Sequence, residues 1–441
     1  MDNITRRDFV KGAATAAVLI GTSKTGWSGA NDRVRVAVLG INGRGKSHLG
    51  GYNEVDNVQV VALCDPDTRL FASRTKEFFT RRNQPEPKCV QDLREVLDDP
   101  EIDAISIATP NHWHSLATIW GLQAGKHVYV EKPMTHNCFE GRQVVAAQKK
   151  YGKVVQHGTQ LRSNPGFREG IQLLKDGAIG DVYMARCVCY KWRPSIGPAH
   201  PGAAPAELDW NIWQGPAQEH EFMLNEKREG AYVHYYWHWV WDYGNGDIGN
   251  QGVHQLDAAR WGLGVTTPYR CASMGGMFLW DDAKEVYNVS SSSFMFKGQD
   301  GKDKMMTLEV RPWITNDEVG GTSFGVLFFG SEGFMSFPNY EGYKIFKGRD
   351  AKLEKENFEG SDVNHYANFI DCIRNNNPDG VNAPPIEGHY SSALSHYALT
   401  GARINRVLEI DTETEMVKND DEANSYLTRN YREPFVVPTE V

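Results

Sequence analysis

Four short apolar runs, each followed by a turn and a helical stretch, constrain this chain more than any other feature. They are residues 34–39, 58–64, 102–108 and 127–130. Aliphatic and β-branched residues fill them almost continuously, as in strands buried on both faces. Strands alternating with helices build a parallel, doubly wound sheet, which takes ligands outside the carboxyl ends of its strands. The residues at those ends are therefore the ones to read for chemistry.

After the first run comes Gly40-Ile41-Asn42-Gly43-Arg44-Gly45. Strand, glycine turn and helix in that order are the context of a dinucleotide fingerprint. Gly40 permits the tight turn and Gly45 a close helix–strand contact, while Asn42 stands at the middle glycine with Gly43 beside it. The second run ends at Asp65, an acid placed to accept hydrogen bonds from an adenosine ribose and to repel a 2′-phosphate. That favours NAD over NADP, although Asp65-Pro66-Asp67 also reads as a turn or helix cap. The fourth run ends in Glu131-Lys132-Pro133. Proline fixes its own φ and biases Lys132 toward extended backbone, presenting an ionisable pair at the strand mouth.

At 441 residues the chain exceeds what one core serves, so two domains are expected, with a change of pattern near residue 155. A net charge of −9 and the absence of long basic runs argue against a nucleic-acid partner. The seven cysteines are scattered and odd in number, which reads as free, mostly packed thiols. Arg6-Arg7, a short apolar run and small residues to Ala30 read as a twin-arginine signal over residues 1–30. That implies a periplasmic or otherwise exported protein, folded with its cofactor before export. The apolar run is too short to span a membrane, so no stable span is expected after cleavage, although an uncleaved anchor is the alternative.

Beyond residue 155 the chain reads differently. Residues 181–190 look like a strand, 322–330 and 333–337 like a hairpin, and 363–374 and 391–406 like helices. Trp210, Trp213 and the run Tyr232, Tyr235, Tyr236, Trp237 and Trp239 supply aromatic faces suited to sugar rings, or equally to a core or subunit interface. On a regular helix Asn250 and His254 are i and i+4 and share a face. His365, His389 and His396 are too dispersed to suggest a metal site, and no metal is expected.

The ordered set of glycine turn, strand-end Asp65, Thr109-Pro110-Asn111-x-x-His114, Ala124-Gly125-Lys126-His127-Val128 and Glu131-Lys132-Pro133 resembles the Gfo/Idh/MocA family of oxidoreductases. The resemblance extends over nearly everything after residue 31. It implies an N-terminal Rossmann dinucleotide-binding domain over 31–155, and over 156–441 an α/β domain with a large, mostly antiparallel open sheet. That sheet commonly mediates dimers or tetramers in the family. The implied cofactor contacts are Gly40, Asn42, Gly43, Arg44, Gly45, Asp65, Thr109, Asn111, His114, Glu131 and Lys132. The implied catalytic residues are Lys132, His254 and Asn250, with Lys132, Trp213 and His254 on the substrate. Asn250 replaces the acid of the family's Asp-x-x-x-His pattern, which moves work from His254 to Lys132 and leaves Asp247 as a compensating acid. The expected reaction is hydride transfer between a secondary hydroxyl of a sugar, glycoside or cyclitol and NAD. The alternatives are a redox-assisted glycosidase with tightly bound NAD, and a catalytically impaired NAD- and sugar-binding protein.

Overall fold

The computed structural model describes residues 33–226, 232–312, 322–359 and 363–441. The stretch read as a signal, 1–30, lies outside these. Six strands form the first sheet: β1 (Val34–Leu39), β2 (Val58–Cys64), β3 (Lys88–Val90), β4 (Ala104–Ile107), β5 (His127–Val130) and β6 (Val155–His157). All pairs are parallel and the order is β3-β2-β1-β4-β5-β6. The order reverses at β1, so a crevice opens beyond Leu39 and Ile107, at the switch point where sheets of this kind take their ligands.

Both faces of this sheet are covered, which explains the unbroken apolar runs. Ala37, Leu39, Ile105, Ile107, Val128 and Val130 pack on one side, and Val36, Val38, Val60, Leu63 and Tyr129 on the other. Helices that follow strands and carry site residues or shield the sheet include α1 (Gly43–Asn53), α2 (Asn111–Gln123) and α3 (Cys138–Tyr151). The last is bounded by its own sequence. Asn137 Oδ1 accepts from the Glu140 amide at its start, and Gly152 takes a left-handed φ of 62° at its end.

The second sheet has nine strands and is mixed. Its strands are β7 (Val182–Tyr190), β8 (Arg270–Gly276), β9 (Val289–Lys297), β10 (Asp303–Arg311), β11 (Phe324–Gly330), β12 (Gly333–Phe337), β13 (Gly342–Lys347), β14 (Lys352–Phe358) and β15 (Leu408–Glu409). They lie in the order β14-β13-β12-β11-β7-β10-β9-β8-β15. Only β7 and β10 run parallel, and every other neighbour is antiparallel. Strand β9 alternates, burying Ser290, Ser292, Phe294 and Phe296 against a helical layer. Helices α4 (Val253–Leu263) and α6 (Pro385–Ile404) supply that layer through Leu256, Ala259, Leu394 and Tyr397. The edge strand β14 is almost wholly exposed and reads Lys-Leu-Glu-Lys-Glu-Asn-Phe, a charged margin that discourages edge-to-edge pairing.

Helix α5 (Val363–Arg374) behaves differently from its neighbours in sequence. Its Tyr366, Phe369 and Ile370 pack against β1, β2 and Tyr129 of the first sheet. All seven cysteines are free, and only Cys89 is exposed. No helix of the described residues is long and apolar enough to cross a membrane.

Candidate active site

The glycine turn is built by steric necessity at two positions. Gly40 has φ +78°, and a Cβ there would lie 2.7 Å from the Ala108 carbonyl oxygen. A Cβ on Gly45 would lie 1.9 Å from the Gly40 carbonyl oxygen, so the helix start can approach the strand only without a side chain. Asn42 is fastened from outside, its Oδ1 accepting from Arg74 Nη2 at 3.0 Å. Asp65 closes the turn from β2: its carboxylate accepts from the amides of Ile41 and Asp67, both at 3.0 Å. The turn reading and the ligand reading of Asp65 thus coexist, because it also lines the cavity.

That cavity, about 380 Å³, runs from the glycine turn to the second sheet. Gly40, Asn42, Gly43, Arg44, Asp65, Thr109, Asn111, His114, Glu131, Lys132, Trp213 and Asn250 all line it. The structure therefore brings together every predicted site residue except Gly45, which packs beneath the turn, and His254.

Glu131 ties the cofactor turn to the strand end. Its Oε1 accepts from Arg44 Nε at 2.7 Å and lies 3.1 Å from His48 Nε2, while its Oε2 accepts from the Lys132 amide at 3.2 Å. Arg44 and His48 are i and i+4 on α1, so one helix face grips the carboxylate. Behind it, His48 Nδ1 meets Ser106 Oγ at 2.8 Å, and Tyr52 donates to the same oxygen at 3.0 Å. Burial alone would raise the Glu131 carboxyl, but Arg44 and His48 hold it well below the ordinary carboxylate range.

Lys132 is the next residue, joined to Pro133 by a cis peptide bond. Its Nζ donates to both the backbone oxygen and the side-chain Oδ1 of Asn250, at 2.7 and 2.8 Å. Burial lowers its pKa to about 8 against the pull of Glu131, with Arg44, Lys191 and Arg193 adding to the depression. A neutral amine donating two N–H groups to Asn250 keeps its lone pair for a third direction; an ammonium keeps one N–H there. Either state leaves Lys132 one bond to make.

The expected Asn250–His254 pair is not joined by a hydrogen bond in the structure. Ile248–Gly252 is a π-helical turn, and regular helix begins only at Val253. A turn closed by i→i+5 bonds is wider than an α turn but still leaves residues four apart on nearly the same face. The Asn250 side chain instead accepts from Lys132. His254 is 4% exposed, lies outside the cavity lining and packs with its ring centroid 5.3 Å from that of Tyr340. Burial, then Lys132, pushes its pKa well below the usual imidazole range. Asp247 does not compensate either: its carboxylate accepts from Arg193 Nε at 2.8 Å and Trp239 Nε1 at 3.3 Å.

Other predicted residues divide between ligand contact and scaffolding. Thr109 Oγ1 is buried in the lining without a hydrogen-bond partner, as an atom awaiting a ligand would be. Asn111 donates to Asn245 Oδ1 at 3.2 Å. His114 bridges the Pro133 and Thr109 carbonyls, at 2.6 and 2.9 Å, so it holds the loop as well as lining the cavity. Trp213 is largely spent on packing: it is 4% exposed and stacks on Trp210 at 4.8 Å.

Sequence reasoning missed Lys191, Arg193 and His234, which line the cavity. The first two come just after β7, and cations just past a strand end were the same clue that singled out Lys132. His234 has φ +71° and its Nε2 lies 2.8 Å from Asp67 Oδ2. Beside it, Thr68 N donates to Glu207 O at 3.1 Å and Asp209 N to Pro66 O at 2.9 Å. Segment 207–209 and His234 thus strap across the loop after β2, next to Asp65. Among the described residues no group of three or more His, Cys, Asp or Glu could hold a metal ion. The glycine turn, the strand-end acid and the orphaned Thr109 hydroxyl fit a dinucleotide.

Comparison with known proteins agrees with this geometry. A family model described as "Oxidoreductase family, NAD-binding Rossmann fold" (GFO_IDH_MocA) matches residues 34–159. Its companion, "Oxidoreductase family, C-terminal alpha/beta domain", matches 331–437. A "Glycosyl hydrolase family 109 protein" of Shewanella baltica (strain OS155 / ATCC BAA-1091) is 29% identical over 211 residues, 41% of this chain and 45% of the relative. A scyllo-inositol 2-dehydrogenase (NADP(+)) of Bacillus subtilis is 28% identical over 166 residues, covering 37% and 44%. The chain thus spans less than half the length of these curated relatives. Among solved structures, a levoglucosan dehydrogenase complexed with NADH and levoglucosan superposes with TM-score 0.64 at 16% identity, over 86% of this chain and 99% of that one. The WlbA dehydrogenase of Bordetella pertussis, with NADH and UDP-GlcNAcA, gives 0.63 at 19% identity, over 86% and 99%. These two share the fold; the family models, one on each half, establish the kinship. The chain belongs to the Gfo/Idh/MocA family of NAD-binding oxidoreductases.

Proposed function

We propose that this protein oxidises a secondary hydroxyl of a sugar, glycoside or cyclitol, with NAD as the partner, through Lys132 as the proton acceptor. The observation that carries the reading is Lys132 Nζ, held by two oxygens of Asn250 in the wall of the cavity that begins at the glycine turn. The nicotinamide, when bound, supplies the hydride acceptor. Everything else falls to the chain. Neutral Lys132 takes the hydroxyl proton through its free lone pair, and the resulting ammonium then stabilises oxygen in the reverse direction. Asn250 orients the amine without adding a negative charge, which keeps a proton-free lysine available near neutral pH. His254 backs this arrangement as a neutral imidazole, so His254→Ala should cost far less than loss of the lysine, within about ten-fold in kcat/KM.

NAD is preferred over NADP in this reading because the Asp65 carboxylate would meet a 2′-phosphate with like charge. Export as a folded, NAD-loaded protein through the twin-arginine route, and assembly into dimers or tetramers through the second sheet, complete the proposal.

The strap formed by His234 and segment 207–209 favours a second reading, in which NAD stays bound and transient oxidation assists glycoside cleavage. It agrees with the name of the Shewanella relative. His234→Ala should speed NAD loss, measured as the fraction of NAD left after extended dialysis; an unchanged fraction removes the strap from the account. The deciding experiment is mass spectrometry of the purified protein for retained NAD, then a panel of sugars, cyclitols and glycosides. Stoichiometric NADH with an oxidised sugar supports the dehydrogenase. Sugar release without added NAD or net NADH supports the glycosidase, and retained NAD without turnover on any member contradicts both.

A further inference from the structure

A second cavity of about 390 Å³ lies behind the first, between the loop after β5, residues 241–245, helix α6 and the C-terminal segment. Asn245 is the partition. Its Oδ1 accepts from Asn111 on the cofactor side, at 3.2 Å, and its Nδ2 donates to the His136 carbonyl on the far side, at 3.1 Å. Nothing in the oxidation of a hydroxyl uses this space.

Its lining has a definite polarity. The Arg403 guanidinium sits 4.5 Å from the ring centroids of both Trp241 and Tyr426, and among the described residues no carboxylate pairs with it. Contact with two aromatic rings holds the guanidinium in place, and its N–H groups suit a planar acceptor such as a carboxylate. Arg429 donates to His136 Nδ1 at 3.3 Å, so the His136 proton is on Nε2, which is buried with only a long approach to the Trp241 backbone. His396, 4% exposed, has an unpartnered Nε2. The acids present do not cancel this. Asp242 is engaged by Arg429 and His220, and Glu285 is a rim residue accepting from the Trp241 amide.

We propose that this cavity binds a small hydroxylated carboxylate of sugar-acid size, its carboxylate on Arg403 and its hydroxyls on the buried imidazole nitrogens. The volume suits a molecule of that size, and unsatisfied buried polar atoms are the groups a ligand would complete. The site is separate from the cofactor cleft, so its occupant need not be the substrate.

Calorimetric titration of the NAD-loaded protein with D-glucuronate, and with D-glucose as the uncharged control, tests this. The expected result is binding of glucuronate and not glucose at the same concentration. Arg403→Ala should weaken it about ten-fold or more and Arg403→Lys by less, since an ammonium keeps the charge but lacks the bidentate edge. Lys132→Ala should leave the affinity unchanged, and Arg403→Ala should retain NADH formation. No heat with glucuronate on the wild type, or binding lost in Lys132→Ala and kept in Arg403→Ala, overturns the proposal.

Discussion

Lys132→Ala is expected to lower the rate of NADH formation by about 10³-fold or more while leaving NAD bound. A positioned general base contributes roughly 10²–10⁴-fold, and the same amine supplies a cation to the reacting oxygen in the reverse direction. NAD retention should survive because the turn is held by other groups: Gly40, Gly45, Asp65 and the Arg44–Glu131 pair do not depend on the lysine side chain. Methionine at 132 keeps the stem and removes the amine, so it separates packing from chemistry. The comparison is single-turnover NADH formation by the NAD-loaded variants. Unchanged turnover in both would remove Lys132 from the mechanism.

Glu131→Ala is expected to be the most destabilising single change near the site. The carboxylate is 3% exposed and receives Arg44, His48 and the Lys132 amide. Removing one member of a buried, hydrogen-bonded pair costs about 3–5 kcal/mol, because the partner charge is left in a poor environment. Arg44 remains partly exposed, which puts the expectation at the lower end of that range. NAD affinity should fall with stability, since Arg44 and His48 both start from the helix that opens at the glycine turn. Glu131→Gln retains an acceptor and should recover part of the loss. A melting curve for Glu131→Ala indistinguishable from wild type, with and without NAD, would contradict the role given to this carboxylate.

The residues legible in the sequence are those whose surroundings are local. Gly40, Gly45 and Asp65 belong to one strand–turn–helix unit and a strand beside it, and their spacing carries the geometry. Lys132 is legible because a strand end is a place, whichever fold surrounds it. Asn250 is legible as a site residue but its partner is not, because the Lys132–Asn250 contact joins residues 118 apart. The Asp67–His234 contact joins residues 167 apart, and no periodicity reports such a pairing. For the same reason α5 reads as an ordinary amphipathic helix, while the partner of its apolar face, the first sheet, is set by tertiary packing alone. His48 is not legible in the sequence because a buried histidine on α1 gains meaning only when Glu131 is beside it.

The pH dependence of kcat/KM for hydroxyl oxidation by the NAD-loaded protein is the most direct test of the central claim. Protonated Lys132 cannot accept the hydroxyl proton, so the rate should rise with pH and level off above an inflection near 8, the value to which burial lowers the lysine. Reduction, which needs the ammonium, should fall through the same region. Asn250→Asp puts a carboxylate where Nζ now meets an amide, and should move both inflections up by about 1–3 pH units. An inflection that stays in place in Asn250→Asp and disappears in His254→Ala would make the histidine the base and contradict the account.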